Sequence, residues 1–164
     1  MLAEHLAENA ALWGRILEGV DATSLEVFGR LEAVALAWAA LQRAVLAPQG
    51  LNYAELVTLG MLRTSTDSRC PLAELRGLVG QSSAGMTRIL DKLVAEGLVV
   101  RDGGGSDRRR IDVRLTERGA NVAEKAHEAM LRHQSRLLAG LEGEERDALC
   151  AALDGLLRAF QARS

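Results

Sequence analysis

The hydrophobic period of this chain changes near the middle and then changes back. Up to Glu96, apolar residues recur every three or four positions. Leu98-Val99-Val100 is short and β-branched, and Ile111-Asp112-Val113-Arg114-Leu115 alternates strictly, so one face is apolar and the other charged. After Thr116 the helical spacing returns and holds to the end. A pattern of period 3.6 buries one face only as a helix, and a pattern of period 2 only as a strand. The chain is therefore expected to be mainly α, with one two-stranded hairpin formed around the connection DGGGSDRRR, residues 102–110.

The helices read as follows. Leu2, Leu6, Ala10, Trp13 and Leu17 make a short one over 2–18. Asp21 or Thr23 offers the next cap, and Glu26, three after Thr23, is the capping-box partner. A stripe from Val27/Phe28 through Leu31, Trp38 and Leu41 to Val45 predicts about six turns, stopped at Pro48–Gly50. Helices over 52–65 and Pro71–Leu78 follow, and Gly80 ends the second. Ser82 or Ser83 caps the next, which runs to Glu96 before a left-handed stop at Gly97. Thr116 caps a long helix to about residue 139, Gly140–Gly143 breaks it, and a last helix covers about 144–161. Helix, short helix, glycine-and-serine turn, helix and hairpin, in that order, spell a winged helix-turn-helix with a two-stranded wing. We read residues 1–164 as a single domain: 51–116 form the winged helix-turn-helix, and 1–46 and 117–164 form a helical dimerisation region.

Composition restricts what such a chain does. Forty-eight per cent of its 164 residues are apolar, 26 per cent are charged and the net charge is -2, values of an ordinary globular chain. No unbroken run of 18 apolar residues occurs, so no transmembrane helix and no membrane partner are expected. The acidic N-terminal residues, without a basic stretch, argue against a secretory signal. Cys70 and Cys150 lie far apart without CxxC spacing and read as reduced cytosolic thiols. A pI near 6.0 excludes a uniformly basic nucleic-acid binder, so any positive surface must be local.

It is local. Eight of the 20 basic residues fall in 81–118, a segment of net charge +2, whereas 1–50 carries -3. The helix from Ser82 opens with the small groups Ser82, Ser83, Gly85 and Thr87, followed by Arg88 and Lys92. Small residues let a backbone approach the major groove, and hydroxyls and arginine reach base edges there. Arg108, Arg109 and Arg110, after Asp107 at the end of the hairpin loop, suit a narrow minor groove whose negative potential attracts arginine. The DNA-contact candidates are thus Ser82, Ser83, Thr87, Arg88, Lys92, Asp107, Arg108, Arg109 and Arg110. A solvated charged face is the alternative reading of the same run. The long stripes over 23–46 and 144–161, the latter through Leu149, Leu153, Leu156 and Phe160, exceed what a core of about 66 residues covers. A twofold partner would bury them and space two recognition helices by one DNA turn; packing of the two stripes within one chain is the alternative.

The middle of the chain also resembles a known family. DRRRIDVRLTERG (107–119) is similar to the MarR-family wing signature, an Asp-x-Arg, a strand, then Leu-Thr-x-x-Gly. SSAGMTRILDKLVAEGLVVR (82–101) resembles that family's recognition helix and first wing strand, and LAPQGLNYAELVTLGML (46–62) its entry into the helix-turn-helix. The resemblance implies a cytoplasmic homodimeric repressor that binds a pseudo-palindromic operator and is released by a small molecule or an oxidant. It makes Arg109 the wing arginine and Asp107 its ion-pair partner. The extra N-terminal helix, with Trp13 ahead of Gly29-Arg30-Leu31, is similar to the urate-responsive, PecS/HucR-like branch. That branch holds its ligand with a Trp, an Asp and two Arg; the matching positions here are Trp13, Val57, Ile89 and Arg101, so two anchors are apolar. An aromatic acid held by Arg101 against Trp13 is the implied effector, with Trp13 as a core filler the alternative.

Nothing else carries chemistry. Glu124, His127 and His133 lack a ligand cluster, so no metal and no cofactor are expected. GGGS at 103–106 lacks the lysine and helix of a phosphate-cradling loop. No catalytic constellation is legible, so the chain is not read as an enzyme. Two alternatives to a ligand-released repressor remain: a winged helix used as a protein-interaction module, and a redox-responsive regulator using Cys70, at a helix start, or Cys150.

Overall fold

The computed structural model describes residues 2–103 and 111–163. Its elements are α1 (Leu2–Ile16), α2 (Ser24–Leu46), α3 (Tyr53–Thr64), β1 (Arg69–Pro71), α4 (Leu72–Val79), α5 (Ser83–Ala95), β2 (Val99–Gly103), β3 (Ile111–Leu115), α6 (Glu117–Leu137) and α7 (Gly143–Gln161). Two compact units divide at the first turn of α3, the first ending at Tyr53 and the second starting at Ala54.

In the first unit α1 packs on α2. Ala10 is buried, and Gly29 leaves room for Leu6, whose Cδ2 would lie 2.5 Å from a Cβ at that position. The loop between them is organised by Asp21, whose carboxylate accepts the Thr23 amide at 2.9 Å and the Thr23 hydroxyl at 2.6 Å. Those two bonds hold its pKa below the usual carboxylate range. The expected Thr23–Glu26 capping box does not form: Thr23 makes no side-chain cap, and Glu26 pairs instead with Arg30 at 3.0 Å. Asp21 acts because two hydrogen bonds to an ionised acceptor outweigh one to a hydroxyl. Trp38 meets Tyr53 edge-on, with ring centroids 6.3 Å apart.

The stretch Thr23–Gln49, α2 and the turn after it, has a mean hydropathy of 1.2 in its most apolar window and the length to cross a membrane. It reaches these values by length and composition alone, without an unbroken apolar run, because alanines and sparse charges raise the average. Little of the stretch is buried within the chain.

The second unit is the winged helix-turn-helix. Its core is a set of fully buried side chains from every layer: Leu56, Leu59 and Leu62 of α3, Leu75 of α4, Met86, Leu90 and Leu93 of α5, Val99 of β2 and Val113 of β3. Burial of each contributes about 1.5–3 kcal/mol. The sheet has three strands in the order β1-β3-β2, all antiparallel, rather than the expected two. β1 pairs Arg69 with Arg114, Cys70 with Val113 and Pro71 with Asp112. The helix expected from Pro71 therefore begins one residue later, with Pro71 as its N-cap. Proline is compatible with this strand because β1 lies at the sheet edge and pairs on one side only.

The start of α6 is sewn to the start of β2. The Thr116 amide donates to the Leu98 carbonyl at 3.0 Å, and its hydroxyl donates to the Gly97 carbonyl at 2.8 Å. The same oxygen accepts the Gly119 amide at 2.9 Å as the helix cap. Gly119 sits so close to Leu98 that a Cβ would overlap its carbonyl oxygen. This is the physical content of the sequence Leu-Thr-x-x-Gly at 115–119. At the chain's end α7 opens with a reciprocal capping box between Glu142 and Glu145.

Candidate nucleic-acid interface

The interface is built from α4, the turn after it and α5. α4 stops because Gly80 adopts φ +68°, a left-handed conformation costly to residues with a Cβ. Its amide and that of Gln81 both bond to the Arg76 carbonyl, at 3.1 and 3.3 Å. The chain then turns into Ser82, whose hydroxyl oxygen caps α5 by accepting the Gly85 amide at 3.1 Å. Of the two caps the sequence allows, Ser82 is the one used. Gly85 is tight, since a Cβ there would lie 3.0 Å from the Gln81 side-chain oxygen and 3.2 Å from the Ser82 hydroxyl. Met86, Ile89, Leu90 and Leu93 bury one face of α5, which fixes its opposite face outward.

Ser82, Ser83, Thr87 and Arg88 are all exposed on that outward face. Arg76 reaches from α4 to donate to the Ser83 hydroxyl oxygen at 2.7 Å, and the Thr87 hydroxyl donates to the Ser83 carbonyl at 2.9 Å. Arg76 was not singled out in the sequence. Its signal there is only a basic residue seven positions before the helix start.

Lys92 is engaged within the chain. Its ammonium bonds to the Glu55 carboxylate at 2.8 Å and lies 3.8 Å from Glu96. The Glu55 side chain is only 4% exposed, so this lysine neutralises a buried charge and ties α5 to α3. Asp107, Arg108, Arg109 and Arg110 lie outside the described residues. The three described strands are cross-braced: Arg69 to Asp112 at 3.0 Å and Arg114 to Asp102 at 3.2 Å.

Among the effector candidates, Trp13 is 44% exposed on α1, and the Arg101 guanidinium on β2 bonds to Asp91 at 2.7 Å. An open cleft of about 400 Å³ lies between α3 and α6. Val57, Met61 and Ala123 line it, the Arg63–Glu124 ion pair (2.7 Å) rims it, and the His127 ring stands over Gly60. No sequence pattern announces this cleft, because its walls come from helices about 60 residues apart. His127 Nδ1 lies 2.9 Å from the Ala123 carbonyl, and Glu124 pairs with Arg63.

The thiols separate cleanly. Cys70 is buried on β1, and its burial, then the charges of Glu74 and Asp112, push its pKa up. Its position at a helix start therefore does not activate it, which speaks against the redox alternative at Cys70: loss of hydration outweighs any favourable field there. Cys150 is exposed on α7. Of the dimerisation candidates on that helix, Leu149, Leu153 and Phe160 are exposed and Leu156 is partly covered.

Comparison with known proteins agrees with this geometry. Residues 49–110 match the sequence model of the MarR family. The HTH-type transcriptional repressor YetL of Bacillus subtilis is 27% identical over 153 residues, 93% of this chain and 89% of that protein. A mutant MarR of E. coli in complex with operator DNA superposes with a TM-score of 0.67 at 27% identity, over 79% of this chain and 92% of that one. The repressor CouR bound to a 23-mer DNA duplex gives 0.70 at 27% identity, over 79% and 90%. Residues 49–110 thus match the MarR family in sequence pattern, and the fold over most of the chain is similar to that of MarR-family winged-helix transcriptional regulators.

Proposed function

We propose that the chain is a sequence-specific DNA-binding repressor that works as a homodimer in the cytoplasm, beside the DNA it reads. The observation that carries this reading is α5 itself. Four apolar residues anchor it to the core, a serine caps it, and its exposed N-terminal half offers small residues, hydroxyls and Arg88. A helix exposed in this way fits the major groove with its N-terminal amides toward phosphate. Arg108, Arg109 and Arg110 supply the minor-groove contact in this reading, with Asp107 orienting Arg109. DNA contacts made by the relatives in their complexes support it.

The dimer is proposed from surface. Leu12, Ile16, Val27, Phe28, Val34 and Leu36 of α1 and α2 are exposed, as are Leu149, Leu153, Leu157 and Phe160 of α7. Monomers rarely leave that many large apolar side chains in water. A second copy explains why α2 is apolar enough to span a bilayer yet belongs to a DNA-binding chain. An effector of aromatic-acid type remains part of the reading, with its site moved. Arg101 is held by Asp91, so a carboxylate there must displace that partner. The cleft at Val57 offers apolar walls where the urate-responsive branch keeps an aspartate.

Footprinting on the DNA upstream of the coding region tests the reading. Protection of two half-sites one helical turn apart is expected, with release by an apolar aromatic acid and not by urate. Absence of any protected sequence would contradict it.

A further inference from the structure

We infer that Arg76, which belongs to α4 and need touch no base, fixes the hydrogen-bonding polarity of Ser83 and thereby what Ser83 can select on DNA. The inference rests on the DNA-binding reading of α5.

A serine hydroxyl has one proton to donate and two lone pairs to accept with. At Ser83 the Arg76 guanidinium donates to the oxygen at 2.7 Å. An arginine has no acceptor, so the contact admits one direction only. With a cationic donor on the oxygen, the hydroxyl proton turns away from Arg76, toward the side where DNA lies. Approach of a second donor to that oxygen is opposed by the guanidinium charge. Ser83 is thus set as a donor, matched to acceptors: guanine O6 or N7, adenine N7, thymine O4 or a phosphate oxygen. Cytosine N4 and adenine N6 are donors and are rejected.

Arg76 is well placed to hold this setting. Its own carbonyl receives the amides of Gly80 and Gln81, so its backbone is fixed by the turn it helps to close. The neighbouring hydroxyls are polarised too. Ser82 accepts the Gly85 amide, and Thr87 gives its proton to the Ser83 carbonyl, leaving Thr87 Oγ1 an acceptor beside its methyl group. Ser83 and Thr87 therefore present opposite polarities one helical turn apart on one face, and only Ser83 owes its polarity to a side chain outside α5.

A double-mutant cycle on a duplex selected from a random library by the full-length wild-type protein tests this. Arg76→Met and Ser83→Ala should each weaken binding about five- to tenfold, the worth of one ordinary hydrogen bond. The double variant should bind no worse than Ser83→Ala alone, and Arg76→Lys, which still donates, should recover most of the loss. If the acceptor is a base, Arg76→Met and Ser83→Ala will relax the selected sequence at the same position of each half-site. If it is a phosphate, the sequence will stand and one neutral methylphosphonate will abolish both losses. Circular dichroism and thermal melting confirm that each variant is folded. Losses that multiply in the double variant, or a silent Arg76→Met beside a weakened Ser83→Ala, would overturn the inference and leave the DNA-binding reading intact. Failure of the wild type to enrich any duplex would overturn both.

Discussion

At Gly119 a single missing methyl group decides how α6 meets the sheet. The Leu98 carbonyl occupies the place a Cβ would take, and it is held there by the Thr116 amide and hydroxyl. Gly119→Ala must push the helix start off β2 and should cost about 2–4 kcal/mol by chemical denaturation, the scale of overpacking against a fixed neighbour. Gly140→Ala, with open space around it, should change little. The motif containing Gly119 was legible in the sequence; its reason, a backbone oxygen 21 positions earlier, was not. Lys92 teaches the same lesson. In sequence it is one more cation on a recognition helix, and only the fold brings the buried Glu55 to it. Cys70 shows the limit of position alone: a helix start says nothing of how much water remains. Iodoacetamide at neutral pH should label Cys150 readily and Cys70 only after denaturation, because burial keeps the Cys70 thiol protonated and out of reach. Rapid labelling of Cys70 in the folded protein would contradict this.

Elements with a long period announced themselves, and elements whose stability is borrowed did not. α2, α5, α6 and α7 begin and end within a residue or two of their expected bounds, because each carries a long apolar stripe bounded by cap or breaker residues. β1 went unseen because three residues ending in proline have no period of their own. It exists because Cys70 is buried opposite Val113 of a strand already formed. The cap of α2 stayed open between Asp21 and Thr23, which both qualify by type; Asp21 makes the hydrogen bonds, and the box between Thr23 and Glu26 does not form. At this scale the decisive prediction concerns α5. Arg88 lies on its exposed face, and no side-chain partner occupies it among the described residues. Arg88→Ala should flatten the preference for a selected operator over a mutated one by about 1–3 kcal/mol, a bidentate base contact, while non-specific binding falls less. A uniform loss across sequences, read by competition binding, would instead make Arg88 a phosphate contact.

For the whole molecule, the winged helix-turn-helix was readable from the order of its elements, whereas the cleft between α3 and α6 was not, being made by residues brought together only on folding. The exposed apolar side chains of α1, α2 and α7 are what the proposed second copy would cover. Removal of residues 141–164 should leave a chain that is monomeric or aggregated in sedimentation and that no longer retains operator DNA. A well-behaved truncation that still binds would show that α7 is not the dimer contact. The central claim, a dimer that grips DNA through a local basic surface on an acidic chain, is tested most directly by one titration. Binding of the full-length protein to its selected duplex is followed by fluorescence anisotropy from low to moderate salt. Two chains per duplex and a slope of log K against log salt of roughly -5 to -9, from about 6–10 neutralised phosphates, are predicted. Binding that is indifferent to salt, or that saturates at one chain per duplex, would contradict the account.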